Sequence, residues 1–183
     1  MLAKMFYDGI ISNELKYYRT YMEIGSYDGE GIAMLSNKYP DKMFYSIDPF
    51  IEDGNTSDSS GIAKGCPLSE IRKLFVKNTK ACKNITHFDM TTEEFIERDL
   101  YRNLLIDLLF IDGDHSEEGT LMDLSLALLL ASNKRVFVIM DDLYLDSVVS
   151  ALHDFEMNYP RVKINYFFDE IRKVYTIACF YLP

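Results

Sequence analysis

Residues 105–119 read Leu-Ile-Asp-Leu-Leu-Phe-Ile-Asp-Gly-Asp-His-Ser-Glu-Glu-Gly, and this stretch is the clearest indication of the fold. Its first seven residues are apolar apart from Asp107, as in a strand that is buried on both faces of a parallel sheet. A polar turn follows at once, made of Asp112, Gly113, Asp114 and His115. A helical pattern then begins at Glu117. In doubly wound sheets ligands bind at the carboxyl ends of the strands, so the segment predicts a strand, a ligand-contacting turn and a helix.

The same alternation of short apolar runs and helical segments extends in both directions from this stretch. Strands are predicted at residues 21–24, 43–47, 85–88, 105–111 and 136–140, and helices at 32–39, 67–80, 91–100, 117–131 and 145–158. Thr91 and Glu94 have the spacing of a capping box, which marks the start of one of these helices. Residues 162–168 and 174–182 predict a β-hairpin. The expected fold is therefore α/β, a doubly wound, mostly parallel sheet of seven strands with a C-terminal antiparallel hairpin.

The length of the chain predicts one domain over residues 1–183. Residues 1–20 are expected to form an N-terminal helical segment before the first strand. Residues 50–67 interrupt the β-α alternation with a segment that is rich in Gly, Ser and Asp and poor in apolar residues. A loop of this length in a compact domain is either functional or disordered. It is predicted to be a flexible lid over the site or, equally well, a mobile surface loop.

Composition excludes several classes of function. The formal net charge of −10 argues against a nucleic-acid partner, because binding to phosphates relies on clustered Lys and Arg. No apolar run is long enough to span a membrane, so no membrane partner is expected. Cys66, Cys82 and Cys179 fit no zinc spacing and indicate reduced thiols. These features predict a cytoplasmic protein, and the sequence leaves open whether the chain forms a homo-oligomer.

The turn after the first predicted strand, Glu23-Ile-Gly-Ser-Tyr-Asp-Gly29, is suited to contact a ligand. Its glycines allow tight turns and close approach of the backbone to a ligand, and the following helix offers free amides to an anion. The dinucleotide fingerprint requires Gly-x-Gly-x-x-Gly, and Tyr27 stands at its second glycine, so binding of NAD is disfavoured. An ordinary strand-to-helix turn would also fit this motif alone.

Asp48 ends the second predicted strand, where a carboxylate can accept hydrogen bonds from both hydroxyls of a ribose. The alternative is a turn cap before Pro49. A Glu-x-Gly-x-x-x-Gly turn followed by an acid at the next strand resembles the S-adenosylmethionine site of class I methyltransferases, which have a Rossmann-like fold. The resemblance covers residues 21–182. It implies that the cofactor contacts Gly25, Ser26, Tyr27, Gly29, Asp48, Asp89, Met90 and Asp112, and that Glu23 braces the loop.

Pairs of acids follow the fourth and fifth predicted strands. Asp112 and Asp114 lie after the fourth strand, and Asp141 and Asp142 after the fifth. These strands are neighbours in a doubly wound sheet, so the carboxylates should converge and repel one another unless a cation or protons intervene. Oxygen ligands of this kind suit Mg²⁺, Mn²⁺ or Ca²⁺. Asp114 or Asp142 could instead cap the helix that follows its strand.

This arrangement of acids resembles the metal-dependent O-methyltransferases, and the Asp-Gly-Asp-His run resembles a bacterial group related to sugar and macrolide O-methyltransferases. The resemblance implies that Asp112, Asp141 and Asp142 bind the metal and that His115 stands at the position of a catalytic lysine. An imidazole can accept a hydroxyl proton at neutral pH. The sequence departs from the family where Glu117 replaces a usual Tyr and Ser132-Asn133-Lys134 replaces Pro-Gly-Gly. The region before the first strand is also short.

The sequence therefore predicts an S-adenosylmethionine-dependent methyltransferase that transfers a methyl group to a hydroxyl of a small molecule. A divalent cation, Mg²⁺ above all, is the expected second cofactor, with Asp112 and His115 as the catalytic residues. Three alternatives remain open: a metal-independent methyltransferase of the same fold, a non-catalytic module that binds the cofactor, and an NAD-dependent oxidoreductase. The glycine spacing disfavours the last of these.

Overall fold

The computed structural model describes residues 9, 11–50, 68–132, 134–169 and 174–182. The strands are β1 (Thr20–Ile24), β2 (Met43–Ile47), β3 (Ile85–Phe88), β4 (Leu108–Ile111), β5 (Val136–Met140), β6 (Ile164–Asp169) and β7 (Val174–Leu182). The helices are α1 (Ser12–Glu14), α2 (Glu30–Lys38), α3 (Leu68–Thr79), α4 (Thr92–Glu97), α5 (Glu117–Ala131) and α6 (Asp146–Asn158), with a 3₁₀ turn at Leu100–Asn103.

The described strands form one sheet in the order β3-β2-β1-β4-β5-β7-β6. Strands β1 to β5 are parallel, whereas β7 runs antiparallel to β5, and β6 antiparallel to β7. The strand order reverses direction between β1 and β4, which is the topological switch point of the sheet. The predicted doubly wound, Rossmann-like sheet with a C-terminal antiparallel hairpin is confirmed.

Alternation along the central strands fills two cores, one on each face of the sheet. Leu109 and Ile111 pack with α5 and α6 on one face, while Leu108 and Phe110 pack on the opposite face. Every residue of β4 and β5 is buried, as the apolar composition of these strands predicted. The sheet is therefore held rigidly from both sides, and the turns that follow its strands have a fixed base.

Two predicted strands are shorter at their start than expected. The fourth strand begins at Leu108 rather than Leu105, because Leu105 is exposed and the Asp107 carboxylate accepts the N–H groups of Arg19 and Thr20. β6 begins at Ile164 rather than at residue 162, because residues 159–162 form a turn. Apolar composition extended both predictions into connecting segments.

Helix boundaries agree more closely with the sequence. Thr91 and Glu94 form the predicted capping box: the Thr91 hydroxyl accepts the Glu94 N–H at 3.1 Å, and the Glu94 carboxylate accepts the Thr91 N–H at 3.1 Å. α4 ends at Glu97 rather than near residue 100, and Asp99 follows in the left-handed region with a φ of 56°. The chain then tightens into the 3₁₀ turn.

Several sequence predictions fall on residues outside the described part of the chain. In the predicted helical segment 1–20, residues 1–8 and 10 are not described, and the described part includes the short helix α1. In the predicted loop 50–67, only Phe50 is described. The assignment of residues 1–183 to a single domain stays a prediction. None of the helices in the described ranges is both long and apolar enough to cross a membrane.

Candidate cofactor and cation site

The site lies at the carboxyl edge of the parallel strands. In the sheet register, the last residues of β1 to β5 are neighbours: Ile24 pairs with Ile47 and Ile111, Ile47 with Phe88, and Ile111 with Met140. The residue after each strand therefore falls in one row, which consists of Gly25, Asp48, Asp89, Asp112 and Asp141. Five of the positions predicted from the sequence are thus brought together by strand register alone.

The loop after β1 needs its glycines. Gly25 has a φ of 81° and Gly29 a φ of 72°, both in the left-handed region that favours glycine. A Cβ atom on Gly25 would run into the backbone carbonyl of Asp112, and a Cβ atom on Gly29 would come within 2.7 Å of the Phe75 ring. Gly25 therefore allows direct contact between the loop after β1 and the turn after β4. Tyr27, with a φ of 50°, is also held in the left-handed region.

Asp48 connects this loop to the end of β2. Its carboxylate accepts the Tyr27 N–H at 2.8 Å and the Phe50 N–H at 2.9 Å. Burial raises the pKa of Asp48, and the two N–H donors oppose that rise. The bond from Phe50 is the turn cap that the sequence offered as an alternative. Each carboxylate oxygen can accept more than one hydrogen bond, so this role does not exclude binding to a ribose.

Glu23 and Ser26 lie beneath the loop rather than on its outer surface. Glu23 is fully buried, and its carboxylate accepts the Tyr21 hydroxyl at 2.6 Å. The Ser26 hydroxyl lies 2.6 Å from that of Ser46, which in turn lies 3.0 Å from Nδ1 of His87. The bond of Glu23 is to Tyr21 of its own strand, so bracing of the loop by Glu23 stays a prediction, and Ser26 belongs to a buried polar chain that the sequence did not indicate.

His87 of β3 is half-buried among aromatic side chains. Its ring lies 4.4 Å from the Phe75 ring and 5.4 Å from the Phe50 ring, centroid to centroid. Burial lowers the pKa of His87 to about 4, so this imidazole is neutral at physiological pH.

Asp89 and Met90 follow β3, at the end of the row next to Asp48. The Asp89 carboxylate forms an ion pair with Arg72 of α3, and both side chains are largely exposed. Met90 packs against the core on the α5 side of the sheet. The two residues therefore form an acidic and an apolar wall, respectively, at the position predicted for the adenine.

The turn of residues 112–115 is held by several neighbouring elements. The Asp112 N–H continues the strand ladder by donating to the Ile24 carbonyl at 3.0 Å. The Asp114 carboxylate accepts both the N–H and the hydroxyl of Ser116. The Ser147 hydroxyl, at the start of α6, donates to the His115 carbonyl at 2.6 Å. These bonds fix the backbone that carries the predicted catalytic side chains.

Neither Asp114 nor Asp142 is the N-cap residue of the helix that follows its strand. Ser116 is the N-cap of α5, and its hydroxyl accepts the Gly119 N–H at 3.0 Å. Leu145 is the N-cap residue of α6 and makes no side-chain cap. The Asp114 side chain accepts hydrogen bonds from the N-cap residue Ser116 but does not itself cap α5. Asp142, with a φ of 62°, has an unfavourable backbone conformation that capping does not explain.

Asp112, His115 and Asp142 form the chemical centre of this edge. One ligand atom from each lies within 4.8 Å of the others, a spacing that could hold a metal ion. Nε2 of His115 lies 2.7 Å from Oδ2 of Asp142 and 3.8 Å from Oδ1 of Asp112. The carboxylates of Asp112 and Asp142 raise the pKa of His115 to about 10, so the imidazole is protonated at neutral pH.

Burial, the other acids and this imidazolium shift the pKa values of Asp112 and Asp142. Burial raises the pKa of Asp112, and repulsion from Asp141 and Asp142 adds to the rise. Although burial opposes it, the bond from His115 lowers the pKa of Asp142. The Asp141 carboxylate accepts the Asp142 N–H at 2.8 Å and is not a member of the three-residue set. Two of the three predicted metal ligands are thus brought together, with His115 in place of the third.

The sequence analysis missed the residues that support this turn from below. Asp123 and Thr92 are buried and bonded to each other through the Thr92 hydroxyl at 2.6 Å. Asp123 lies on the same face of α5 as Thr120, Ala127 and Leu130, which are also buried. An acid within the apolar face of a helix was the signal that could have identified it.

Comparison with known proteins agrees with this geometry. The model of a methyltransferase domain family matches residues 22–143. Cofactor-bound Rv0187 from MTB superimposes with a TM-score of 0.65 at 14% identity, covering 98% of this chain and 78% of that one. CalS11, a calicheamicin methyltransferase, gives 0.63 at 14% identity, covering 94% and 76%. An rRNA methylase from Streptococcus thermophilus gives 0.60 at 11% identity, covering 96% and 93%.

The solved structures are too distant in sequence to indicate more than the fold. Comparison with curated protein sequences finds no match. The family match, by contrast, spans more than half of the chain and runs from β1 through the turn after β5. It includes the glycine loop, Asp48 and all the acids of the carboxyl edge. The chain therefore belongs to the methyltransferase domain family and has the Rossmann-like fold of the S-adenosylmethionine-dependent methyltransferases.

Proposed function

We propose that this protein is an S-adenosylmethionine-dependent O-methyltransferase that acts on a hydroxyl group of a small molecule and uses a divalent cation. The observation that carries the proposal is the set formed by Asp112, His115 and Asp142, whose ligand atoms lie within 4.8 Å of one another. The set adjoins the glycine loop of a methyltransferase domain. CalS11, of similar fold, is described as a TDP-rhamnose 3′-O-methyltransferase, which is a precedent for a hydroxyl acceptor.

The residues of the carboxyl edge fit the organic cofactor. Gly25 lets the loop after β1 lie directly against the backbone of Asp112, Asp48 offers carboxylate oxygens to a ribose, and Asp89 and Met90 flank the predicted adenine position. When bound, S-adenosylmethionine supplies an electrophilic methyl group on a sulfonium sulfur. The chain's own task is to orient that group, and alignment of the reacting atoms accounts for a large share of catalysis in such transfers.

The acids fit a divalent cation by the chemistry of their donors. The carboxylate oxygens of Asp112 and Asp142 suit Mg²⁺ or Mn²⁺, and Asp112 is partly buried beside two further carboxylates. A cavity of about 10 Å³, lined by Asp112, His115 and Asp141 among others, is the size of one water molecule or ion. A divalent cation supplies positive charge beside the acceptor hydroxyl, which favours loss of the hydroxyl proton.

His115 is proposed to receive that proton. The acceptor oxygen would form a bond to the methyl carbon while the carbon–sulfur bond breaks and its electron pair stays on sulfur. The hydroxyl proton would pass to Nε2, which must be neutral beforehand and released from Asp142. Without a cation, Oδ2 of Asp142 lies 2.7 Å from the protonated Nε2 and occupies it. Neutralisation of Asp112 and Asp142 by a cation would lower the pKa of His115 and free it as a base.

A second candidate is a metal-independent methyltransferase. The imidazolium of His115 already lies between the two carboxylates, so their charge is partly neutralised without a cation. In that case His115 and the acids would orient the acceptor. In both candidates a small acceptor is favoured over a nucleic acid, because the acids of this edge would repel phosphates.

A melting experiment with cations separates the two candidates. Mg²⁺ or Mn²⁺ at millimolar concentration should raise the melting temperature of the wild-type protein, because a ligand that binds only the folded state stabilises it. The triple variant Asp112→Ala, Asp141→Ala, Asp142→Ala should lose this response. A wild-type protein whose melting temperature ignores both cations would favour the metal-independent candidate.

A turnover experiment tests the transfer itself. Catechols, sugars and other hydroxylated metabolites would be screened for release of S-adenosylhomocysteine, with and without Mg²⁺. His115→Ala should leave the affinity for S-adenosylmethionine nearly unchanged and lower turnover by roughly 10²–10⁴-fold, the usual contribution of a general base. His153→Ala, on the exposed side of α6, is the matched control. Tight cofactor binding without turnover of any hydroxyl compound would argue for a non-catalytic binding module.

A further inference from the structure

Asp123 is a buried acid that the proposed chemistry does not use. It lies in the second turn of α5 and is only 3% exposed. Among the described residues, no basic side chain forms an ion pair with it, and its oxygen Oδ2 has no hydrogen-bond partner. Burial raises the pKa of Asp123 to about 7; the negative charge of Asp114 adds to this rise, and His115 opposes it. A buried carboxyl oxygen without a hydrogen-bond partner lowers the free energy of unfolding.

The two oxygens of Asp123 connect two different loops of the carboxyl edge. Oδ1 accepts the hydroxyl of Thr92, the first residue of α4, at 2.6 Å. Thr92 follows directly on the loop of Asp89 and Met90, where the adenine is predicted. Oδ2 lies beneath Gly113, so close that a Cβ atom on Gly113 would come within 2.7 Å of it. Gly113 stands between Asp112 and Asp114 in the turn that carries the reacting groups.

We infer that Asp123 is a positioning residue for methyl transfer: with Thr92 it joins the predicted adenine side of the site to Gly113, and thereby fixes Asp112 and His115 relative to the cofactor. The catalytic part of this inference rests on the proposed function, whereas the contact with Gly113 does not. The neutral, protonated form of Asp123 suits the role, because Oδ1 can accept a hydrogen bond from the Thr92 hydroxyl while Oδ2 lies against Gly113 of the turn. The absence of a Cβ atom at Gly113 is then required first by Oδ2 of Asp123, and also by Cγ2 of Ile24, from which that Cβ atom would lie 3.0 Å.

A double-mutant cycle tests the contact without any substrate. Gly113→Ala should lower the melting temperature in the wild-type background, since the new methyl group meets Oδ2. The same substitution should cost much less in an Asp123→Ala background, where that oxygen is gone. Gly29→Ala, whose Cβ atom would meet Phe75 instead, should cost the same in both backgrounds. Equal costs of Gly113→Ala in the two backgrounds would overturn the inference, because the residues would then be independent.

Kinetics tests the positioning role. Thr92→Val keeps the shape of the side chain and removes the hydroxyl. We expect Thr92→Val and Asp123→Ala, each as a single variant, to lower kcat by roughly 10- to 100-fold, as small misplacements of reacting groups do. The KM for S-adenosylmethionine should change by less than about threefold. Asp123→Asn should restore most of kcat, because an amide resembles a neutral acid in shape and hydrogen bonding. Ser125→Ala, on the exposed face of the same helix, is the control.

The outcomes distinguish this inference from the proposed function. If the wild-type protein turns over an acceptor and Thr92→Val does so equally fast per folded molecule, Asp123 and Thr92 are structural only and the inference fails. If Asp123→Asn is as slow as Asp123→Ala, the neutral-acid account fails. If the wild-type protein turns over no hydroxyl compound, the proposed function fails and the catalytic role falls with it, while the double-mutant cycle still decides whether Asp123 holds Gly113.

Discussion

Replacing Asp142 with Asn should lower the pKa of the His115 imidazole by about 1–3, which is the range for loss of an adjacent opposite charge. The imidazole has two carboxylate neighbours, one at 2.7 Å from Asp142 and one at 3.8 Å from Asp112. The substitution removes the nearer charge and keeps a side chain of the same shape. NMR titration of the imidazole between pH 5 and 11 would measure the change directly. His87 is an internal control, because burial holds its pKa at about 4 and it stays neutral over this range.

The same pair makes the free energy of unfolding depend on pH. The pKa of His115 is raised from 6.5 to about 10 in the folded protein, so its contribution is complete below pH 6.5 and is lost as pH rises to 10. The rise in pKa from 6.5 to about 10 corresponds, without solvent screening, to about 5 kcal/mol of free energy of unfolding. The side chain is 34% exposed, and solvent screening should reduce the contribution to about 1–2 kcal/mol. Denaturant unfolding at pH 6, 8 and 10 should show this loss in the wild-type protein and less of it in Asp142→Asn. A His115 that titrates near 6.5 in both proteins would refute the reasoning.

Three further predictions concern the cofactor loop and the helix beside it. Gly25→Ala should abolish binding of S-adenosylmethionine in calorimetry and lower the melting temperature, because the methyl group would meet the Asp112 carbonyl at an unfavourable φ; retained affinity would contradict this account. Asp48→Ala should weaken cofactor binding by about 1.5–3 kcal/mol, the range for hydrogen bonds to a charged group, and unchanged affinity in an intact fold would leave Asp48 as a turn cap only. Thr91→Ala should lower the free energy of unfolding by about 1 kcal/mol through loss of the capping box, and urea unfolding that shows no change would count against the cap.

The doubly wound, mostly parallel sheet and the row of residues at its strand ends could be predicted from the sequence, because alternating strand and helix patterns indicate such a sheet. The runs of apolar residues in β4 and β5 identify central parallel strands, and parallel register then aligns Gly25, Asp48 and Asp112. The starts of β4 and β6 could not be predicted in the same way. Leu105 is as apolar as its neighbours, and only the bonds from Arg19 and Thr20 to Asp107 show that the ladder begins later.

For the candidate site, the sequence could predict which residues stand at the ends of neighbouring strands. It could not predict which of their side-chain atoms lie close together. The convergence of Asp112 and Asp142 follows from the adjacency of β4 and β5. Which atoms meet depends on side-chain direction and backbone angles, such as the φ of 62° at Asp142, that no pattern encodes. The sequence therefore indicated that carboxylates would raise the pKa of His115, but not that Oδ2 of Asp142 would lie 2.7 Å from Nε2. The bonds of Ser26 to Ser46 and of Thr92 to Asp123 were likewise beyond reach, since the partners are distant in the chain.

The two candidate functions differ in what neutralises Asp112 and Asp142. Without a cation, burial raises the pKa of Asp112 to about 8, so Asp112 holds a proton at neutral pH and the imidazolium of His115 balances Asp142. A divalent cation bound to both carboxylates would displace the proton of Asp112, and the proton that then matters is that of His115. A divalent cation with the proton retained would leave one positive charge in excess, whereas a divalent cation with the proton released leaves none. The balanced state is also the one in which His115 is neutral and able to accept a proton. Electrostatics therefore links cation binding to activation of the base, and the link has a measurable sign: binding of Mg²⁺ should release a proton and grow tighter as pH rises from 6 to 9.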